Sequence, residues 1–176
     1  MASQRVLLQP TLLLDDFEVS LHTPPNALIY ELNLVFPNVD CKKSNLVCLL
    51  SAQKSNMKLL EWNDEVAKEK DLLLERFAAW ANKICKKLVE NGHFADFIDP
   101  CSGLPANGDG NKVYGEVDGF ELLCSYKTNN AGGCKILLHP KWESAVYPAS
   151  LFTTAPPDTV IDIIQHNDFQ PGKRIK

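Results

Sequence analysis

The stretch that decides the fold is "DEVAKEKDLLLERFAAWANKICKKLVENG", residues 64–92. Its apolar residues recur every three or four positions and form one stripe, with Glu, Lys and Arg largely on the opposite side. The stripe consists of Leu73, Phe77, Trp80, Ile84 and Leu88. Acidic residues open the stretch, two lysines stand near its end, and Asn91-Gly92 is typical of a helix C-terminus. We therefore predict a long amphipathic helix from Asp64 to Asn91 that packs this stripe into a core.

Upstream of this helix the sequence predicts a strand, a shorter helix and a hairpin. Apolar and polar residues alternate from Phe17 to Leu21, as in a strand. Thr23-Pro24 has the residue types of a helix N-terminus, and Pro37-Asn38 ends that helix. The segment "NLVCLLSAQKSNMKLLEW", residues 45–62, indicates two strands around a turn at Lys54-Ser55-Asn56.

Downstream of the long helix, strands dominate the prediction. "HFADFID" (93–99) indicates a short strand, and the glycine-rich segment 100–119 indicates a loop with a small hairpin at Lys112 to Gly115. Three further strands are predicted at "FELLCSY" (120–126), "CKILLHP" (134–140) and "SLFTTA" (150–155), followed by a helix "TVIDIIQ" (159–165) capped by Asp158. We expect an α+β fold in which a mixed, mostly antiparallel sheet packs with helices. Residues 1–176 form one domain, with 1–16 as an N-terminal arm and 167–176 as a polar tail.

Composition excludes several classes of protein. The 176 residues carry a net charge of −4, with a pI near 5.5, whereas nucleic-acid-binding proteins usually present a basic patch. No apolar run approaches the roughly 20 residues that a membrane-spanning helix needs. The N-terminus matches neither a signal peptide nor a transit peptide, so a cytoplasmic location is expected.

Familiar catalytic motifs do not occur in the sequence. It contains neither G-x-S-x-G, G-x-G-x-x-G nor a Walker loop. Asp96 and Asp99 fit a half-buried strand that ends in a turn. The scattered histidines have no partners at ligand spacing and are interpreted as surface or strand-end residues: His22, His93, His139 and His166.

Six cysteines are present, and we expect reduced thiols because no C-x-x-C pair or secretory signal accompanies them. Cys48, Cys85 and Cys124 lie in apolar surroundings and are interpreted as small buried hydrophobes. Cys41 follows an acidic turn and is expected to be exposed and incidental. Cys101 opens the glycine-rich loop and is expected to be accessible.

The remaining cysteine, Cys134, follows Gly132 and Gly133 at the start of a predicted strand. Glycines without side chains let a large flat ligand approach the backbone closely. Lys135 would favour the thiolate, although strand alternation directs its side chain to the other face. From these residues alone, Cys134 is either ordinary packing or a thiol presented to a ligand.

Three passages carry a resemblance to a known family: "LLLERFAAWANKICKKL" (72–88), "GHFADFIDPCSGLP" (92–105) and "GGCKILLHPKWESAVYPASLFTTAPPDTVI" (132–161). They resemble, in the same order, the cobalamin-trafficking proteins of the methylmalonic aciduria and homocystinuria type D (CblD, MMADHC-like) family. The likeness extends from about Phe17 to Ile164. The sequence departs from some members at Gly133, where they have a second cysteine.

The resemblance implies a fold similar to flavin-dependent nitroreductases, with no flavin expected. Members are non-enzymatic adaptors that meet the cobalamin-processing protein of the CblC (MMACHC) family. They direct cobalamin to methionine synthase in the cytosol and to methylmalonyl-CoA mutase in mitochondria, although no mitochondrial leader is seen here. A family cysteine bonds to cobalt, and by position it is Cys134, with Gly132 and Gly133 as the clearance that a corrin needs.

Two other functions stay open at this point. A flavin-linked reductase would need a phosphate-binding cluster, but the arginines are few: Arg5, Arg76 and Arg174. A structural interaction module with all six thiols buried would need no cofactor. The reactivity of the thiols separates this module from the adaptor.

Overall fold

The computed structural model describes residues 5–174, which form seven strands and four α-helices. In chain order these are β1 (Arg5–Leu14), β2 (Phe17–Thr23), α1 (Asn26–Val35), β3 (Val47–Lys54), α2 (Asp64–Glu90), β4 (Ala95–Phe97), α3 (Glu116–Cys124), β5 (Lys127–Ala131), β6 (Cys134–Leu138), β7 (Val146–Thr153) and α4 (Pro157–Gln165). Five strands form one sheet in the order β1-β2-β3-β7-β4, and β5 and β6 form a separate hairpin. Every paired strand runs antiparallel to its neighbour, which confirms the predicted α+β class.

The central sheet is buried on both faces. Along β3, every residue except Lys54 is buried, and alternation sends Leu49 to one face and Leu50 to the other. The first face packs against α2 and α4, and the second packs against α1, α3 and the β6 strand. The sheet is therefore the middle layer between two helical layers, and the β5–β6 hairpin belongs to the second outer layer.

The long helix α2 confirms the prediction from residues 64–92. Its five stripe residues are all buried, and all of them except Leu73 belong to the first core. The Asn63 side chain accepts a hydrogen bond from the backbone N–H of Val66 at 2.9 Å, which caps the first turn. Trp80 packs edge-on against Phe17, with ring centroids 4.9 Å apart. Full burial of each such side chain stabilises the fold by on the order of 2 kcal/mol.

The predicted second strand of the hairpin within residues 45–62 is wrong. Both neighbours of β3 in the sheet are already filled, by β2 and β7. After Lys54 the chain instead turns away toward α2, because the Glu69 carboxylate accepts hydrogen bonds from Ser55 Oγ at 3.0 Å and from the Asn56 N–H at 2.8 Å. These bonds fix the route from the sheet to the long helix.

The predicted strand "FELLCSY" is also wrong, because most of it forms the end of α3. Phe120 and Leu123 are buried three residues apart, which is helical spacing, and Gly119 lets the Tyr114 side chain pack closely against the helix. Ser125 ends the helix in the left-handed conformation, with φ of 56°. The chain then enters β5, a strand that the prediction missed.

Smaller corrections concern helix starts and a turn. Thr23 is the last residue of β2 and does not cap α1, whose N-cap is Pro25. Asp158 lies in the first turn of α4, where its charge suits the helix dipole, while Pro156 is the N-cap. The expected hairpin at Lys112 to Gly115 is replaced by irregular chain.

The two ends of the described chain both contact the sheet or α2. The expected N-terminal arm includes β1, which is an edge strand of the sheet; residues 1–4 lie outside the described range, as do 175–176 of the tail. In the tail, Arg174 forms an ion pair with Glu69 on α2. Within residues 5–174, none of the helices combines the length and apolar character that crossing a bilayer requires.

Candidate functional site

Cys134 is the first residue of β6 and stands beside the two-residue loop that joins it to β5. Ala131 and Cys134 are the last cross-strand pair, and Gly132 and Gly133 between them have φ of 57° and 85°. Two consecutive positive φ values are typical of a type I′ turn, which matches the twist of a hairpin and strongly favours glycine. Cys134 is exposed, and a Cβ at either glycine would meet no atom within 4 Å. The turn conformation is thus sufficient reason for the glycine pair.

Strand alternation divides the hairpin into two faces. The face that carries Cys134, called the Cys134 face, consists of three cross-strand pairs: Ala131 with Cys134, Asn129 with Ile136, and Lys127 with Leu138. The opposite face, called the α3 face, consists of Asn130 with Lys135 and Thr128 with Leu137. Leu137 is buried in the second core, so the α3 face lies toward the protein and the Cys134 face lies toward solvent.

The α3 face is tied to α3 by carboxylates. Glu121 accepts hydrogen bonds from Thr128 Oγ1 at 3.0 Å and from Lys135 Nζ, and therefore holds one residue of each strand. Lys135 Nζ also contacts Asp118 Oδ1 at 2.7 Å. The bonds to Asp118 and Glu121 raise the pKa of Lys135. As alternation predicted, Lys135 points away from the Cys134 face, and its charge is balanced by α3.

The base of the hairpin is tied to β2 by Glu18. Its Oε1 accepts hydrogen bonds from Tyr126 Oη at 2.7 Å and from His139 Nε2 at 2.9 Å, so residues just before β5 and just after β6 share one acceptor. Burial opposes ionisation of Glu18, but the bonds from His139 and Tyr126 outweigh it and lower the pKa. His139 Nδ1 accepts from the Lys141 and Trp142 N–H groups, which places the proton on Nε2.

Two other polar residues of β2, Ser20 and His22, contact Cys124 at the end of α3. His22 Nε2 and Ser20 Oγ lie 2.8 Å apart, and Cys124 Sγ lies 3.6 Å from each of them. Burial lowers the pKa of His22 to about 4 and raises that of Cys124 to about 11, so both are neutral at neutral pH. His22 near the end of β2 and His139 directly after β6 are strand-end residues, as one of the two expected alternatives has it, but both are buried and neither is a surface residue. His93 is half-buried and His166 is exposed.

The other thiols separate into buried and exposed groups. Cys48 and Cys85 are buried as expected, and Cys101 is exposed as expected. The expectation that Cys41 is exposed is wrong, because the Asn33 side chain accepts a hydrogen bond from its N–H at 3.0 Å and draws the residue into the second core. Burial raises the pKa of Cys41 to about 11. All six cysteines are free, and only Cys101 and Cys134 are exposed.

The two aspartates of "FADFIDP" have structural contacts and do not pair. Asp96 is buried in β4 and accepts hydrogen bonds from the Asn107 and Gly108 N–H groups, which hold the glycine-rich loop against the strand. Asp99 accepts from the Cys101 N–H and from Ser102 Oγ at the following turn. Across residues 5–174, no three His, Cys, Asp or Glu side chains gather in a way that would hold a metal ion.

An open groove of about 640 Å³ lies at the base of the Cys134 face. Its walls come from residues 125–127 on one side and from 138–140 and 143–144 on the other, and they include Lys127, Leu138, Pro140, Glu143 and Ser144. Lys127 and Leu138 belong to both the groove and the Cys134 face. The exposed thiol and the groove therefore lie at opposite ends of one hairpin surface.

The sequence-based prediction missed the supporting residues Glu18, Tyr126 and His139. The signal for Glu18 was present in "FEVSLH", where polar residues alternate with apolar ones. Such alternation is typical of a strand with one solvated face, whereas residues 17–22 of β2 are all buried. Of the polar residues on β2, Glu18 binds the base of the hairpin, and Ser20 and His22 contact the end of α3.

Comparison with known proteins identifies the family of this chain. The family described as "Methylmalonic aciduria and homocystinuria type D protein" matches residues 10–165. The chain belongs to this family. Proteins named "Cobalamin trafficking protein CblD" from Homo sapiens and Mus musculus are each 34% identical to it over 145 residues, and the one from Gallus gallus is 33% identical. These alignments cover 82% of this chain and 48% of each relative, so the chain spans about half the length of the CblD proteins it matches.

Proposed function

We propose that this CblD-family chain is a non-enzymatic cobalamin-trafficking adaptor whose Cys134 thiolate bonds to the cobalt of its cargo. The observation that carries the proposal is an exposed thiol at the end of a hairpin whose two strands are held by shared carboxylates. Family membership supports cobalamin as the cargo, because the relatives are named as cobalamin-trafficking proteins.

The chemistry at Cys134 is ligand substitution. The thiol loses its proton to solvent, its sulfur displaces the water bound to Co(III), and the oxidation state of cobalt does not change. Thiolate is a good ligand for such a metal, and the bond to cobalt keeps the sulfur deprotonated. The cargo contains the reactive centre, while this chain provides one ligand, Cys134, and the Gly132-Gly133 turn that leaves it accessible.

The proposal includes a partner and a destination. The chain docks in the cytoplasm with a CblC-family cobalamin-processing protein and directs the processed cobalamin to methionine synthase and methylmalonyl-CoA mutase. The corrin would then lie between the two proteins, with the partner on the side opposite Cys134. A fold similar to that of nitroreductases, without bound flavin, is part of the same proposal.

The test follows the absorption spectrum of the corrin when the chain is mixed with a CblC-family protein loaded with aquacobalamin. The wild-type chain is expected to produce the spectrum of a cobalt–thiolate complex, and Cys134→Ser is expected to leave the spectrum unchanged. Cys101→Ser is the matched control, because Cys101 is the other exposed thiol. If Cys134→Ser produces the same spectrum as the wild type, the ligand assignment is refuted.

A further inference from the structure

The geometry points to the whole Cys134 face as a platform for the corrin ring, with the adjoining groove receiving the amide-bearing rim of the ring. This inference rests on the proposed function and adds the surface that recognises the cargo. It concerns the pairs Asn129 with Ile136 and Lys127 with Leu138, in addition to Cys134 itself.

The spacing of the pairs suits a broad, flat ligand bound through an axial sulfur. A strand rises about 3.3 Å per residue, so Ile136 lies roughly 7 Å and Leu138 roughly 13 Å along β6 from Cys134. An axial ligand is perpendicular to the corrin plane, and Cys134 projects outward from the strand face. The ring would therefore lie parallel to that face, above Asn129 and Ile136, with its rim toward Leu138.

The Cys134 face is open to such a ligand. Asn129, Lys127 and Cys134 are exposed, and Ile136 and Leu138 are half-buried. The opposite face is closed, because Leu137 is buried and α3 binds Lys135 and Thr128. A ring bound to Cys134 is therefore expected to meet Ile136 as an apolar contact and Asn129 as a hydrogen-bonding amide.

The groove suits a rim fringed with amides. Such a rim both donates and accepts hydrogen bonds, and the groove offers the Lys127 ammonium as a donor, the Glu143 carboxylate as an acceptor, and apolar surface from Leu138 and Pro140. Lys127 forms no ion pair with any residue in the range 5–174, whereas Lys135 on the α3 face is balanced by Asp118 and Glu121. Charge available to a ligand is thus on the side of the hairpin that carries the thiol. Lys127 also complements the one phosphodiester of the cobalamin nucleotide tail.

The test uses two neighbouring asparagines on opposite faces of one strand. Asn129→Tyr places a bulky side chain beneath the ring, whereas Asn130→Tyr places the same side chain on the α3 face. Both positions are exposed, and tyrosine is favoured in strands, so both variants are expected to fold. In the assay with the aquacobalamin-loaded CblC-family protein, Asn129→Tyr is expected to reduce the affinity for forming the thiolate complex at least tenfold, and Asn130→Tyr to change it less than twofold.

Two further measurements separate loss of the platform from other effects. Methyl methanethiosulfonate, a small thiol reagent, is expected to modify Cys134 equally fast in both variants, because the thiol itself stays accessible. Docking of the cobalamin-free partner is expected to be equal as well. Lys127→Glu, an exposed change at the groove, is a second variant and is expected to weaken the thiolate complex several-fold.

The outcomes distinguish this inference from the proposed function. Equal affinities for Asn129→Tyr and Asn130→Tyr, with Cys134→Ser inactive, would overturn the platform and leave the cobalt ligand in place. Weaker docking of the cobalamin-free partner to Asn129→Tyr would also overturn it, because the face would then contact the partner protein. A wild-type chain that leaves the corrin spectrum unchanged would overturn both.

Discussion

Glu116, the first residue of α3, should make the fold less stable as the pH rises. Its Oε2 accepts a hydrogen bond from Ser150 Oγ at 2.5 Å, while Oε1 is buried without a partner among the described residues. Burial raises the pKa of Glu116 to about 7, against 4.5 for a solvated glutamate, and the bonds from Ser150 offset this only in part. Replacement by the neutral isostere, Glu116→Gln, removes the titration.

The sign and size of the effect follow from linkage. Because the folded pKa lies above the unfolded value, the folded state holds more protons between pH 4.5 and 7; its stability falls as pH rises through that range, and the loss is complete just above the folded pKa. Each tenfold change in proton affinity is worth about 1.4 kcal/mol, so the full loss at alkaline pH is about 3 kcal/mol. From pH 5.5 to pH 8 the loss is about 2 kcal/mol.

Urea unfolding of wild type and Glu116→Gln at pH 5.5 and pH 8 measures this effect. Other titrating groups contribute to both proteins, so the quantity of interest is the difference between their unfolding free energies. The variant is expected to gain about 2 kcal/mol on the wild type between the two pH values. If the free energies of unfolding of the two proteins change equally with pH, the Glu116 carboxyl is not buried as described.

Two further predictions concern the hairpin turn and β2. Gly132→Asn is expected to be tolerated, because Asn-Gly also favours a type I′ turn. Gly132→Val should lower the free energy of unfolding by about 1–2 kcal/mol, because valine is strained at the φ of 57°, and should speed amide hydrogen exchange in β5 and β6. Equal exchange in the two variants would contradict the turn assignment. His22, whose pKa burial lowers to about 4, favours the folded state fully above pH 6.5 and loses this contribution as pH falls, by about 3 kcal/mol between pH 7 and pH 4. His22→Gln should remove that loss in urea unfolding, and an unchanged acid dependence would show that His22 is solvated.

Hydrophobic periodicity predicts an element correctly where one face of that element is buried and the opposite face is exposed to solvent. The stripe of α2 runs from Leu73 to Leu88 in a helix of 27 residues, which begins after the Asn63 cap and is followed by Gly92 with positive φ, so local and tertiary preferences agree there. "FELLCSY" failed because three apolar residues in a short run fit either a strand or a helix. Only the packing of Phe120 and Leu123 on the second core selects the helix. The second strand expected after Lys54 does not form, because β2 and β7 already occupy both positions beside β3. The local sequence does not show which sheet positions are occupied.

The sequence pointed to Cys134 as a candidate residue but not to the residues that hold its hairpin in place. Gly-Gly-Cys is a local pattern, and the structure confirms that Cys134 is exposed at the start of a strand, whereas its role as a ligand stays a prediction. The carboxylates that hold the hairpin are remote in sequence: Glu18 is 121 residues from His139 and 108 from Tyr126. A single sequence contains no signal that joins such positions, and the alternation in β2 pointed to solvent instead of a second core.

Glu18 on β2 helps to set the orientation of the Cys134 hairpin. Apolar contact is not directional, so Leu137 alone would hold the hairpin on the second core without fixing its angle. Hydrogen bonds are directional, and Glu18 binds both ends of the hairpin base while Glu121 binds both strands nearer the turn. Four anchor points on two carboxylates define the orientation of the strand pair and therefore the direction in which Cys134 projects. Burying Glu18 on β2 costs desolvation that an apolar residue would not, and its hydrogen bonds provide the directional contacts that orient the hairpin with the exposed Cys134 thiol.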